Sequence, residues 1–115
     1  MRVLNILAAL SGACGLIMLV LVAHALRLEA VDAERVRMAA YLQLFAAAAG
    51  LALANRVGRL NLIGGAAILS GTALFALALY TLAIAHTGAL IMIAPIGGIS
   101  MIAGWLVIAF AKPNA

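Results

Sequence analysis

The stretch that decides how the chain can fold is Ile93-Ala94-Pro95-Ile96-Gly97-Gly98-Ile99-Ser100-Met101-Ile102-Ala103-Gly104-Trp105. It places a proline and three glycines inside an apolar run that is otherwise long enough to cross a membrane. Proline removes a backbone N–H, and its ring crowds the carbonyl four residues earlier, which belongs to Ile91. We therefore expect a helix kinked near Pro95, with the other helices packed around it and the Ile91 carbonyl bonded to a neighbouring group.

The composition indicates an integral membrane protein. Of the 115 residues, 69% are hydrophobic and 9% are charged, whereas about 25% of the residues in ordinary soluble domains are charged. The charges lie at the ends of apolar runs, so the net charge of +4 indicates membrane flanks and not nucleic-acid binding. Cys14 is the one cysteine and has no partner for an internal disulfide. The spacing of Cys and His indicates no metal site, and we expect no cofactor.

The apolar runs predict an all-α protein with four transmembrane helices in a single integral membrane domain that covers residues 1–115. The approximate ranges of the helices are 3–26, 33–54, 61–86 and 89–111. Asp32 is expected to cap the second helix, and Lys112 and Pro113 are expected to end the fourth. Because the connecting loops are short, each helix should lie antiparallel to its predecessor. This order gives an up-down-up-down bundle with both termini on one side.

The positions of the cations indicate an orientation. Four cations fall at the end with the termini and three at the opposite end: Arg2, Arg56, Arg59 and Lys112 against Arg27, Arg35 and Arg37. The positive-inside rule then favours cytoplasmic termini in the inner membrane of a bacterial cell. The apolar run of residues 3–26 is too long for the core of a signal peptide, so we expect it to remain as the first helix.

Small residues recur at four-residue spacing in every helix. Such residues let helix backbones approach closely in lipid, where no hydrophobic effect drives helices together. Gly50, Gly71 and Gly104 are the strongest candidates for these close contacts, and Gly97 and Gly98 suit the same role.

Several short motifs follow one another along the chain: Ser11-Gly12, Ala23-His24, Tyr41, Tyr80, Pro95-Ile96-Gly97-Gly98 and Gly104-Trp105. Together they resemble the YgdD-like or transmembrane-protein-256-like family of small four-helix membrane proteins, a domain of unknown function. The resemblance implies a membrane location and a four-helix fold. The family's Tyr-Gln-x-x-His pattern in helix 2 is not kept, since Gln43 stands one position later and the histidine is absent.

The two histidines are candidate interaction residues. His24, near the end of helix 1, suits an interfacial position or an interhelical hydrogen bond, and the alternative role is proton transfer or ligand binding. His86 suits a cap at the carboxyl end of helix 3. By topology both histidines belong to the same side of the membrane.

The other candidates are aromatic or neutral polar side chains. Tyr41 suits a belt at the membrane interface, while Tyr80 and Gln43 suit hydrogen bonds across helices. Trp105 is expected to fill the space that Gly104 opens beside it.

No paired carboxylates, nucleophile–base pair or phosphate-binding loop is present, so we expect no enzyme activity. The expected function is that of a non-catalytic accessory subunit of a larger membrane complex or a lipid-contacting scaffold. Its partners would be membrane lipid and other membrane subunits or a second copy. The alternative is a minor transporter or channel for a small or apolar solute. Polar residues from several helices that converge on one cavity would favour transport, and an exposed face of small residues would favour a partner.

Overall fold

The structure is a computed structural model that describes residues 2–112. Over these residues it consists of four α-helices: α1 (Arg2–His24), α2 (Ala30–Ala54), α3 (Arg59–Ala85) and α4 (Ile93–Phe110). All four helices are long and apolar enough to cross a membrane. The predicted all-α fold with four helices that could span a membrane is therefore confirmed. Pro113, which was expected to help end the fourth helix, lies outside the described residues.

Contacts between α1 and α2 show that consecutive helices run antiparallel. A Cβ atom placed on Gly50, near the end of α2, would lie 2.8 Å from Cβ of Ala8, near the start of α1. A Cβ atom on Gly15, later in α1, would lie 2.8 Å from the carbonyl oxygen of Ala40, which is earlier in α2. The residue numbers on the two helices therefore increase in opposite directions.

The four helices form an open row and not a closed four-helix ring. α1 packs mainly on α2 and touches α3 where Leu4 meets Gly65, and α3 lies between α2 and α4. Within residues 2–112, no Cα atom of α4 comes within 8 Å of a Cα atom of α1 or α2. This order leaves one groove between α1 and α3, with α2 as its floor, and a second between α2 and α4, with α3 as its floor.

The core consists mainly of small side chains on the two middle helices. Most of the fully covered apolar residues of α2 are alanines, and the larger core residues include Leu4, Val36 and Ile68. About half of the most apolar part of α3 is buried, against 17% in α1 and in α4. The outer helices therefore leave most of their apolar side chains for lipid, as expected of a membrane protein.

The start of α4 differs from the sequence expectation. Residues 88–94 form tight turns in which the N–H of Ala94 donates to the Ile91 carbonyl at 3.2 Å. Helix α4 begins at Ile93, so Pro95 lies in its first turn, where a missing N–H leaves no helical bond unmade. Pro95 therefore marks the start of α4 and not a kink inside a longer helix. The Ile91 carbonyl is bonded locally and not to another helix.

The start of α2 also differs from expectation. The helix begins at Ala30, and the capping position is held by Glu29, whose side chain makes no capping hydrogen bond. Asp32 was expected to be the cap, but it lies in the first turn and accepts a hydrogen bond from Arg35 at 2.8 Å. The carboxylate still lies near the positive end of the helix dipole, which is favourable without a cap.

Candidate functional site

A buried polar cluster lies at the middle of α2. Gln43 is 6% exposed, and its side-chain Oε1 accepts a hydrogen bond of 2.6 Å from the Tyr80 hydroxyl of α3. The Ser11 hydroxyl of α1 donates to the backbone carbonyl of the same glutamine at 3.0 Å. Three helices are thus joined at one residue, and Tyr80 and Gln43 form the bond across helices that the sequence indicated.

The groove between α1 and α3, hereafter the α1–α3 groove, opens above this cluster. It encloses about 550 Å³ and is lined by Leu7 and Leu10 of α1, Gln43 of α2, and Ala66, Ser70 and Ala73 of α3, among others. Ala66 and Ser70 are four residues apart, which places two small side chains on one exposed face of α3. This wall lets the backbone of another helix approach closely.

The amide nitrogen of Gln43 is unpaired. Across the described part of the chain, its Nε2 has no hydrogen-bond partner, although the residue is almost fully buried. The nitrogen is not sealed inside the protein, and the cavity that Gln43 lines is the α1–α3 groove. The groove therefore offers a hydrogen-bond donor beside the middle of α2, and inside a membrane neither water nor an acyl chain would supply an acceptor there.

The interface between α3 and α4 depends on glycine. A Cβ atom on Gly71 would lie 2.6 Å from the Gly97 carbonyl oxygen, and one on Gly97 would collide with the Gly71 carbonyl oxygen. A Cβ atom on Gly104 would lie 2.8 Å from the Gly64 carbonyl oxygen. The Ser100 hydroxyl also donates to the α3 backbone, at the Ala67 carbonyl, at 2.9 Å. Three of the glycines chosen from the sequence, at positions 71, 97 and 104, thus lie at this contact.

Two of the residues expected in close packing lie elsewhere. A Cβ atom on Gly98 would meet nothing within 4 Å, because this residue faces away from α3. The space beside Gly104 is filled by Gly64 and Ile68 of α3. Trp105 was expected to fill it, but its side chain is half exposed.

The groove between α2 and α4, hereafter the α2–α4 groove, is where Trp105 lies. One cavity of about 440 Å³ is lined by Trp105 and Met101 of α4, Thr72 of α3 and the α2 face that includes Phe45 and Ala49. Thr72 is buried, and its hydroxyl donates to a carbonyl of its own helix. This groove therefore offers apolar side chains and one aromatic ring over most of its length.

The two histidines are exposed, and the structure gives no contact that joins them. His24 makes no hydrogen bond or ion pair within residues 2–112. His86 ends α3 in the left-handed conformation, with φ of 54°, and its Nδ1 lies 4.0 Å from Oδ2 of Asp32. His86 thus occupies the capping position indicated by the sequence, and it links the end of α3 to the start of α2. Tyr41 is also exposed.

Sequence reasoning missed the buried polar side chain of Asn61. It is 1% exposed, and its Nδ2 donates at 2.9 Å both to the Val57 carbonyl and to the Lys112 carbonyl beyond α4. Its Oδ1 is buried and has no partner among the described residues. A lone asparagine at the start of an apolar run was the available signal, but local sequence gives no sign that its partner is 51 positions away.

Comparison with known proteins places the chain in a family. Residues 20–98 match the family model described as "Protein of unknown function (DUF423)", which is more than half of the chain. The search of the curated proteins and the search of the solved structures each gave no significant match.

Proposed function

We propose that this chain, which belongs to the DUF423 family of proteins of unknown function, is a non-catalytic accessory subunit that binds a transmembrane helix of a partner in the α1–α3 groove. The amide nitrogen of Gln43, which has no partner within residues 2–112, carries this proposal. A buried donor without an acceptor is costly in a membrane, and a polar side chain or carbonyl on an incoming helix would pair it. The small side chains of Ala66, Ser70 and Ala73 let that helix come close.

Site-specific photo-crosslinking in native membranes tests this proposal. A photoreactive residue at Ala73, inside the groove, should give one discrete protein adduct. The same residue at Ile102, on the exposed face of α4, serves as the control and should give only lipid adducts. Mass spectrometry of the Ala73 adduct identifies the partner.

Two groove variants make the test specific. Ser70→Leu places a large side chain on the small-residue wall and should abolish the adduct. Gln43→Leu removes the amide with little change in size and should lower the adduct yield about threefold, as expected for an interhelical hydrogen bond of about 0.6 kcal/mol. Equal adducts at positions 73 and 102, or an adduct that Ser70→Leu leaves intact, would contradict the proposal.

A transport function is the second candidate, because side chains from three helices converge on this groove. Ser11, Gln43 and Ser70 belong to α1, α2 and α3 respectively and line the same cavity. The groove opens on exposed side chains of α1 and α3, and the Ser11 and Ser70 hydroxyls are bonded to backbone carbonyls. Helix docking therefore explains the groove more simply. Solute flux into proteoliposomes that Gln43→Leu, Pro95→Ala or His24→Ala reduces would instead favour transport.

The proposed location is a bacterial inner membrane with cytoplasmic termini. The end of the molecule with the termini carries Arg2, Arg56, Arg59 and Lys112 and no acid. The other end carries Arg27, Arg35 and Arg37. Four cations against three favour cytoplasmic termini, because the positive-inside rule counts Lys and Arg and gives little weight to acids. Labelling of a Lys112→Cys variant by a membrane-impermeant thiol reagent, in a Cys14→Ser background, should require lysed cells.

A further inference from the structure

The α2–α4 groove extends to the terminal end of the molecule. A second cavity of about 230 Å³ is lined by Ala49, Trp105, Ile108 and Arg56, among others, and it shares Ala49 and Trp105 with the larger cavity. The two cavities therefore form one groove along α2 from Leu42, in the middle of the helix, to Arg56. At about 1.5 Å per residue, the helical part of the groove from Leu42 to Ala54 is roughly 18 Å long, and Arg56 lies just beyond it. This length is close to the thickness of one leaflet with its interface, about half of the ~40 Å total.

The cation at the mouth of this groove is unpaired. In the part of the chain that the structure describes, the Arg56 guanidinium has no hydrogen bond and no ion pair. All three acids of the sequence, Glu29, Asp32 and Glu34, lie around the start of α2, at the opposite end of the molecule. No Asp or Glu side chain of this sequence is therefore placed to neutralise Arg56.

We infer that one anionic phospholipid occupies the α2–α4 groove, with its phosphate on Arg56 and an acyl chain along Ala49 and Trp105. The shape favours a lipid over a partner helix, because the groove has the length of one leaflet while a helix crosses two. The charge favours an anionic lipid over a zwitterionic one, which would bring a cation of its own towards Arg56. The indole N–H of Trp105 has no partner within residues 2–112, so it is free to donate to a lipid ester.

This inference does not depend on the α1–α3 groove, since the two grooves lie on different pairs of helices. The single tryptophan of the chain supplies a direct readout. The full-length protein is reconstituted in phosphatidylcholine vesicles that contain phosphatidylglycerol, with brominated acyl chains on one lipid or on the other. Bromine quenches Trp105 fluorescence only in lipids that lie against it. The ratio of quenching by brominated phosphatidylglycerol to quenching by brominated phosphatidylcholine therefore measures which lipid occupies the groove.

Phosphatidylglycerol should be preferred over phosphatidylcholine about fivefold, as expected for one arginine near the surface. Arg56→Gln should bring this ratio close to one. Arg2→Gln removes the same charge at the same end of the molecule, but position 2 does not line the groove, so the ratio should stay unchanged. Ala49→Leu fills the groove without changing the charge and should also lower the ratio.

Three outcomes would overturn the inference. The first is equal quenching by both lipids in the unaltered protein, and the second is an equal loss of preference in Arg2→Gln and Arg56→Gln. The third is a preference that Arg56→Gln leaves intact. Circular dichroism of each variant in the same vesicles confirms that a loss of preference does not come from unfolding.

Discussion

The hydroxyl of Tyr80 donates a 2.6 Å hydrogen bond to Oε1 of Gln43 and so joins α3 to α2, the two middle helices of the row. The bond holds the glutamine side chain in one orientation and occupies Oε1, which leaves Nε2 without a partner within residues 2–112 in a residue that lines the α1–α3 groove. Tyr80 is thus expected to act on the groove through Gln43.

A double-mutant cycle measures how much this hydrogen bond contributes to the free energy of unfolding. Tyr80→Phe and Gln43→Leu should each destabilise the protein, and the coupling between them should be about 0.6 kcal/mol, the average for interhelical hydrogen bonds in membranes. Reversible unfolding in mixed micelles gives the four free energies. Tyr41→Phe is the control, because Tyr41 is exposed and makes no hydrogen bond across helices within residues 2–112. A coupling of zero would mean that the hydroxyl and the amide act independently.

Gly97→Ala should separate α4 from α3. The added methyl group would meet the Gly71 carbonyl oxygen and lie 2.8 Å from the Phe75 backbone nitrogen, and the backbone cannot move aside as a side chain can. We expect a loss of about 1–3 kcal/mol, as for overpacking in a core, measured by thermal unfolding in detergent. Gly98→Ala is the matched control, because it adds the same group one residue away into open space. Similar losses in both variants would argue against close packing at Gly97.

Asn61→Ala should release the end of α4. The substitution removes the donor to the Lys112 carbonyl and to the Val57 carbonyl, two partly buried hydrogen bonds that typically contribute about 0.5–1.5 kcal/mol each. Hydrogen–deuterium exchange should then be faster in the last turn of α4. Asn55→Ala removes an exposed amide that bonds within its own turn and should leave exchange in α4 unchanged. Unaltered exchange in Asn61→Ala would show that other contacts hold this end.

His86→Gly should stabilise the protein. His86 has φ of 54°, a conformation that costs an L-residue about 1 kcal/mol and glycine little. The imidazole is 71% exposed, and its Nδ1 lies 4.0 Å from Oδ2 of Asp32, so its loss should change the stability of the protein little. His86→Ala keeps the backbone cost and should not stabilise. If the alanine variant were the more stable of the two, the left-handed conformation would not be the source of the cost.

The positions of the helices were predictable because the free energy of transferring a segment from water into a membrane depends on the segment's own residues. Apolar runs flanked by charges therefore indicate where the helices lie. Several contact positions were also predictable from local sequence. Glycine has no side chain, so Gly50, Gly71 and Gly104 indicate close approach whatever the neighbouring helix is. The same argument failed at Gly98, since composition does not show which face of a helix meets its neighbour.

The sequence by itself thus determined that this is a membrane protein of four antiparallel helices with a basic terminal end, because length, hydropathy and loop size are properties of consecutive residues. Only the tertiary structure decided that α4 packs on α3 and not on α1 or α2, and that Pro95 lies in the first turn of this helix. It also decided that, within residues 2–112, the Gln43 amide nitrogen and the Arg56 guanidinium lie beside grooves without a partner. These features depend on contacts between residues far apart in the chain. The free energy of such contacts is set by packing and hydrogen bonding between helices and not by the local sequence pattern.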